Sequence, residues 1–166
     1  MRGGIVNSFI AASGSRTEVL QTTIDASLAA ISTQQEVVLY NMGANDIYHD
    51  NGAGGIDVGL PLEADWKADT AYILDAIHAH SPAATIYAMD TWVRVPPAAV
   101  GDMATLKTWR AAVLATRGPW AVAGPDEDVF LENGDNGVTY TSDGVHPNAA
   151  GNALTALQWE ALIGGP

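Results

Sequence analysis

The sequence predicts a single α/β domain of three layers, with helices on both faces of a parallel sheet. Short apolar runs have the composition of strands that are buried on both faces, and they lie at residues 36–40, 84–89 and 120–123. Segments with apolar residues at helical spacing flank and separate these runs, at residues 17–32, 62–80, 102–116 and 149–163. Strands that alternate with helices at this spacing form βαβ units, so the strands should be parallel.

Each helix and loop has its own signal in the sequence. Two helices have a regular apolar face, formed by Val19, Leu20, Ile24, Leu28 and Ile31 in the first and by Trp66, Ile73, Leu74 and Ile77 in the second. A further short strand is expected at residues 4–10, before a small-residue loop centred on Gly14. Glycine-rich residues 51–59 and polar residues 125–141 are expected to form loops. The latter contains an acidic segment formed by Asp126, Glu127, Asp128, Glu132 and Asp135. Its spacing fits no EF-hand pattern, so we expect a solvated loop rather than a calcium site.

Composition limits the possible functions. A chain of 166 residues is most simply one domain, residues 1–166, and it contains no cysteine, which excludes thiolate and zinc-thiolate chemistry. Its net charge of −12 argues against a nucleic-acid partner or an anionic membrane and favours a small, weakly charged ligand. No apolar run is long enough to span a bilayer and no secretory leader is evident, so the sequence leaves the compartment open.

The stretch SDGVHPN at residues 142–148 carries the strongest chemical signal. An imidazole serves as a general base near neutral pH when a carboxylate fixes its tautomer and stabilises its charged form. Asp143, three residues before His146 in a tight turn, could do both, and the two residues are our candidate catalytic pair. The alternative is a polar turn with a surface histidine. Asn148 is suited to cap the helix that follows.

A second polar motif, Gly43-Ala44-Asn45-Asp46, follows the predicted strand at residues 36–40. An asparagine amide at the carboxyl end of a buried strand can point into a cleft and stabilise the oxyanion of an acyl-transfer intermediate, which is worth about 3 kcal/mol. An ordinary Asx-rich turn is the alternative interpretation.

Together, the Gly-x-Asn-Asp motif and the later Asp-x-x-His-Pro motif resemble those of the SGNH hydrolases, the GDSL-like lipases and esterases. Val6-Asn7, followed by Gly14 and Thr17, is similar to the second block of that family. The resemblance implies an αβα, flavodoxin-like fold in which His146 is the base and Asp143 its orienting acid. It also implies that the Asn45 amide and the backbone N–H of Gly14 line the oxyanion hole.

The nucleophile is where the sequence departs from the family. The family carries it in a Gly-Asp-Ser motif on its first strand, and this sequence contains no Gly-Asp-Ser. The spacing from Gly14 to Asn45 places that block upstream of Met1, so we expect a chain that lacks or replaces the first strand. A less favoured alignment makes Ser8 the nucleophile. Self-association or a partner chain is a further way to supply the missing strand.

We therefore expect an ester hydrolase that acts by Ser-His-Asp acyl transfer on small-acyl or carbohydrate esters and that is impaired if the nucleophile block is absent. The resemblance implies no cofactor and no metal. The alternative is a non-catalytic module that binds a carbohydrate or another ligand on a degenerate fold of the same type.

Overall fold

The computed structural model describes residues 16–33, 36–41, 43–50, 56–90, 99–131, 138–143 and 146–164. The predicted strand at residues 4–10, including Ser8, and the loop at Gly14 lie outside these residues. In chain order the elements are α1 (Thr17–Leu28), β1 (Val37–Tyr40), a 3₁₀ turn (Ala44–Ile47), β2 (Tyr48–Asp50), β3 (Ile56–Val58), α2 (Glu63–His80), β4 (Thr85–Asp90), α3 (Ala99–Leu114), a second 3₁₀ turn (Gly118–Trp120), β5 (Ala121–Asp126), α4 (Glu127–Leu131) and α5 (Ala149–Ile163).

Three of the strands form the parallel sheet that the sequence predicts. Their order is β1-β4-β5, with Val38 opposite Ile86 and Ile86 opposite Ala121. Helices α2 and α3 connect successive strands, as crossovers between parallel strands require. The carboxyl ends of all three strands therefore lie at one edge of the sheet, where α/β proteins place their ligands.

Helices cover both faces of this sheet. On one face, Ile86, Ala88 and Ala121 are buried against a cluster of apolar side chains from α1, α2 and α3. On the other face, the Tyr87 ring meets the Trp159 ring of α5 edge-on, with ring centroids 6.3 Å apart. The layers are thus helix, sheet and helix, which confirms the predicted αβα fold.

A second apolar cluster lies beneath the 3₁₀ turn after β1. It consists of buried side chains from the turn, α2 and α3, namely Ile47, Trp66, Met103, Leu106 and Trp109. Ile47 and Leu106 are completely buried, so this cluster anchors the turn to the two helices. Trp66 and Trp109 are only 3% and 8% exposed, so both tryptophans belong to the core.

Several predicted boundaries and loops were wrong. Helix α1 ends at Leu28 rather than at residue 32. The expected glycine-rich loop contains β3, which pairs antiparallel with β2, and Gly59 N–H donates to the Ile47 carbonyl at 3.0 Å. Helix α4 lies in the expected polar loop because Leu131 is completely buried and holds it against the domain. Tertiary packing decides these short elements, which have little periodicity of their own.

Three of the predicted acidic residues, Asp126, Glu127 and Asp128, lie at the end of β5 and the start of α4 rather than in a solvated loop. The other two, Glu132 and Asp135, lie outside the described residues. The Lys107 ammonium lies 2.6 Å from Asp126 Oδ1 and also pairs with Asp128, while Glu127 is buried. Among the described residues, no group of three or more histidines or acids is arranged to hold a metal ion. At this position the carboxylates hold α3 against the end of β5.

The described part of the chain covers only partly the face of β1 that points away from this core. Val37 and Leu39, which alternate with the core residues Val38 and Tyr40, are 39% and 49% exposed.

None of the helices in the described part of the chain combines the length and apolar character needed to cross a membrane.

Candidate functional site

Asp143 and His146 form a hydrogen-bonded pair in the turn that precedes α5. Asp143 Oδ2 lies 2.7 Å from His146 Nδ1, and the other carboxylate oxygen accepts from the His146 backbone N–H at 2.7 Å. Both side chains are exposed, at 52% for Asp143 and 76% for His146. A carboxylate at Nδ1 favours the tautomer whose Nε2 is free to accept a proton. The geometry is that of a general base held by an orienting acid.

Backbone contacts across the turn fix the position of this pair. Ser142 N–H donates to the His146 carbonyl at 2.9 Å, and Thr141 forms an antiparallel bridge with Pro147. Asn148 N–H then donates to the Tyr140 carbonyl, also at 2.9 Å. The two ends of the turn are therefore tied together on either side of the Asp143–His146 pair.

Asn148 joins the same loop to α5. Its side-chain oxygen accepts from the backbone N–H groups of Ala150 and Gly151 at 2.9 and 3.1 Å, which confirms the predicted N-cap. Its amide nitrogen donates to the Thr139 carbonyl at 2.9 Å. One side chain thus caps the helix and holds the preceding loop, so the orientation of α5 determines where the Asp143–His146 pair lies.

The turn that carries Asn45 follows the carboxyl end of β1. Gly43 has a φ of 128°, in the region that side chains avoid, which explains a glycine at the start of the motif. The Asp46 N–H donates to the Gly43 carbonyl at 3.0 Å and closes the turn. Asn45 is half-buried within it. A predicted oxyanion donor therefore lies on a short, tightly closed segment.

The next residue, Asp46, is buried and anchors this turn. Its carboxylate accepts from the Thr17 backbone N–H at 2.6 Å, from the Thr17 hydroxyl, and from the Trp66 indole N–H at 2.6 Å. Residue Asp46 is only 4% exposed. Buried carboxylates require such donors, so these contacts explain how the residue is accommodated in the interior.

Further polar groups lie under the turn. Tyr40 is buried beside Thr17 and Thr70, and burial raises the pKa of its phenol to about 12, against a smaller opposing effect of the Arg110 guanidinium. Arg110 itself is 2% exposed, pairs with Asp90 at the end of β4 and donates to the Met89 carbonyl at 2.9 Å. This end of the sheet contains a buried polar network that the sequence analysis did not identify.

The structure thus brings Asp143 and His146 together and places Asn45 on a separate segment after β1. The other two predicted residues, Gly14 and Ser8, lie outside the described residues. Sequence reasoning missed Asp46, although it is the last residue of the Gly-x-Asn-Asp motif. Its hydrogen-bond donors are 29 and 20 positions away in the chain, and no local pattern links them to it.

Comparison with known families gives one match over most of the chain. The model of the GDSL-like lipase/acylhydrolase family matches residues 2–154. No curated protein matches the sequence.

Solved structures with the same fold include several esterases. A family 3 carbohydrate esterase from Clostridium thermocellum has a TM-score of 0.60 and 17% identity, over 90% of this chain and 65% of its own. A family 3 carbohydrate esterase from Talaromyces cellulolyticus has a TM-score of 0.61 and 17% identity, over 91% and 68%. An acetyl esterase variant with an acetate ion has a TM-score of 0.63 and 18% identity, over 91% and 67%. The chain spans about two thirds of the length of these proteins.

Proposed function

Because the chain belongs to the GDSL-like lipase/acylhydrolase family, we propose that it hydrolyses carboxylic esters by acyl transfer, with Asp143 and His146 as the acid and base of a Ser-His-Asp triad. The observation that carries this proposal is the 2.7 Å contact between Asp143 Oδ2 and His146 Nδ1. The exposure of the His146 side chain supports it, since a general base must be accessible to substrate.

In this mechanism His146 Nε2 removes the proton from a serine hydroxyl as the hydroxyl oxygen attacks the ester carbonyl carbon. The carbonyl oxygen gains negative charge and is stabilised by the Asn45 amide and the Gly14 backbone N–H. The tetrahedral intermediate then collapses, and His146 gives its proton to the departing alcohol. Water repeats the sequence on the acyl-enzyme, releasing the acid and restoring the serine, while Asp143 holds the ring throughout.

The nucleophile is the least constrained part of the proposal. Since the sequence contains no Gly-Asp-Ser, Ser8 is the candidate that the alternative alignment provides. An acyl-transfer hydrolase without its nucleophile keeps only about 10³- to 10⁴-fold acceleration over water, from the oxyanion hole and binding. If Ser8 does not fill this role, we propose that the chain is impaired to that degree.

For the substrate, we propose a small-acyl ester, such as an acetyl ester on a carbohydrate. Two of the structurally similar proteins are carbohydrate esterases and a third is an acetyl esterase, which supports this class. The net charge of −12 supports a neutral substrate, because an anionic one would be repelled.

A non-catalytic module that binds carbohydrate is the second candidate. The missing Gly-Asp-Ser favours it, because a chain that kept the cleft and lost the nucleophile would bind without turnover. The two functions differ in whether ester hydrolysis depends on His146.

Hydrolysis of p-nitrophenyl acetate between pH 5 and 9 tests the proposal. We expect turnover by the wild-type chain and a loss of about 10²- to 10⁴-fold in His146→Ala, because general acid–base catalysis contributes that much. His80→Ala is the matched control, since His80 lies at the end of α2 with Nε2 3.3 Å from the Ser32 carbonyl. Equal rates in the two variants would refute the assignment of His146.

Labelling with a fluorophosphonate, followed by peptide mapping, identifies the nucleophile. A label on Ser8 that is absent from the Ser8→Ala variant would establish Ser8 as the nucleophile. An unlabelled chain without turnover that still binds acetylated glycans would instead establish the binding module.

A further inference from the structure

We propose that Asp46 is a positioning residue that holds the Asn45 amide in place by tying its turn to the start of α1. This inference rests on the proposed function, because it concerns the oxyanion hole of that reaction. Asp46 is not expected to touch the substrate. Its effect on catalysis would pass through the turn that it anchors.

The contacts of Asp46 reach two elements other than its own. One carboxylate oxygen accepts from the Thr17 backbone N–H at 2.6 Å, and the other accepts from the Thr17 hydroxyl and from Trp66 Nε1 at 2.6 Å. Thr17 is the first residue of α1, and Trp66 lies in the first turn of α2. The carboxylate therefore links the turn to both helices, in addition to the apolar contacts of Ile47.

The carboxylate also performs the capping function that α1 lacks locally. Arg16 stands at the N-cap of α1, and within the described chain its side chain makes no capping hydrogen bond. The first backbone N–H groups of a helix need acceptors and favour negative charge nearby. Asp46 supplies both from another segment, so loss of its acceptors would free the start of α1 as well as the turn.

Trp66 is a rigid partner for this contact. Its ring packs against that of Trp109, with centroids 6.0 Å apart, and the Arg110 guanidinium lies 5.8 Å above it. The side chain is 3% exposed. A buried donor packed against these two side chains has little room to follow a shifted acceptor, so Asp46 must keep its position to keep this hydrogen bond.

Asp46 and its partner Thr17 each lie close in the sequence to one of the two predicted oxyanion donors. Asn45 precedes Asp46 directly, and Gly14 lies three positions before Thr17. A displacement of about 1 Å in such a group can reduce a rate about 100-fold. Asp46 is thus in a position to control transition-state stabilisation without taking part in the chemistry.

The substitution Asp46→Asn tests the inference. An amide keeps one acceptor oxygen, but its nitrogen is a donor. It therefore cannot accept from the Thr17 backbone N–H on one side and from the Thr17 hydroxyl and Trp66 Nε1 on the other, as the two carboxylate oxygens do. We expect kcat for p-nitrophenyl acetate to fall about 10- to 100-fold per fluorophosphonate-titrated site, with KM changed by less than about twofold. Thr17→Val removes only the hydroxyl donor and should give a smaller loss in kcat.

The matched control is Asp75→Asn. It removes a carboxylate from α2 that pairs with Arg117 at 3.0 Å and is 56% exposed, away from the turn. Its kcat per titrated site should equal that of the wild type. An unchanged kcat in Asp46→Asn would overturn the inference, as would an activity loss that merely follows the fraction of titratable enzyme.

Hydrogen exchange separates failure of this inference from failure of the proposed function. We expect Asp46→Asn to lose amide protection at residues 17–20 and 43–47 and to keep it in α5. If wild-type protein neither turns over esters nor reacts with fluorophosphonate, the proposed function fails, yet the exchange result still decides whether Asp46 ties the turn to α1. Unchanged protection at both segments would overturn the tether itself.

Discussion

The substitution Gly151→Ala is expected to destabilise the protein, although propensity alone predicts the opposite. Alanine in place of glycine within a helix is ordinarily favourable by about 0.5–1 kcal/mol. In α5, however, a Cβ at position 151 would lie 2.1 Å from the Tyr140 carbonyl oxygen and 3.1 Å from Pro147 Cβ. Ordinary contact begins at 3.4 Å, so the helix and the loop would have to separate by about 1.3 Å.

The size of the effect follows from the two opposing contributions. Overpacking of this kind costs about 1–3 kcal/mol, and the gain in helix propensity offsets part of it, which leaves a net loss of about 1–2 kcal/mol. For a domain of this size that corresponds to a fall in Tm of about 2–8 °C. The loop that must move also carries the Asp143–His146 pair, so ester hydrolysis should fall about 100-fold where the proposed function holds.

Gly101→Ala is the matched control, because Gly101 occupies the same third position in α3. A Cβ there would meet nothing within 4 Å. We expect this variant to be more stable than wild type by about 0.5–1 kcal/mol with unchanged activity. Differential scanning calorimetry measures both variants. Two variants of equal, raised stability would refute the close approach of α5 to the Tyr140 carbonyl.

Two further predictions concern pH. Burial raises the folded-state pKa of Tyr40 to about 12, so the unfolded chain loses this proton at a lower pH than the folded chain. The free energy of unfolding should therefore fall by roughly 2–3 kcal/mol as pH rises from about 10 to 12. Denaturant unfolding of Tyr40→Phe should lack this part of the decline. The pKa of Asp69 is raised by partial burial and then by the charges of Asp65, Glu18 and Asp46, so its ionised form opposes folding above the ordinary pKa of 3.8. Asp69→Asn should therefore raise Tm by up to about 2 °C at pH 7, and by less in high salt. At pH 3, where the carboxyl is protonated, Tm should not change. An equal gain at pH 3 would show that the charge of Asp69 is not the cause.

Some contacts of the candidate site could be predicted from the sequence because they join residues that are close in the chain. Asp143 and His146 are three positions apart, and the capping interaction of Asn148 involves the next three residues, so their contacts depend mainly on nearby backbone geometry. The Asn45 turn could likewise be predicted from its position after an apolar run. By contrast, the donors to Asp46 come from α1 and α2, and the partners of Lys107 lie at the end of β5 and in α4. Such contacts leave no periodic signal.

The sequence by itself determined the alternation of strands and helices, the αβα class, the N-cap of α5 and the pairing of an acid with a histidine. Those features depend on the spacing of apolar residues and on contacts between residues a few positions apart, and both are visible in the sequence. Only the tertiary structure decided that Asp46 and Arg110 are buried, that β2 and β3 form a hairpin, and that Gly151 has no room for a methyl group. These properties arise where segments distant in the chain meet, and there packing and hydrogen bonding outweigh the preferences of each segment alone.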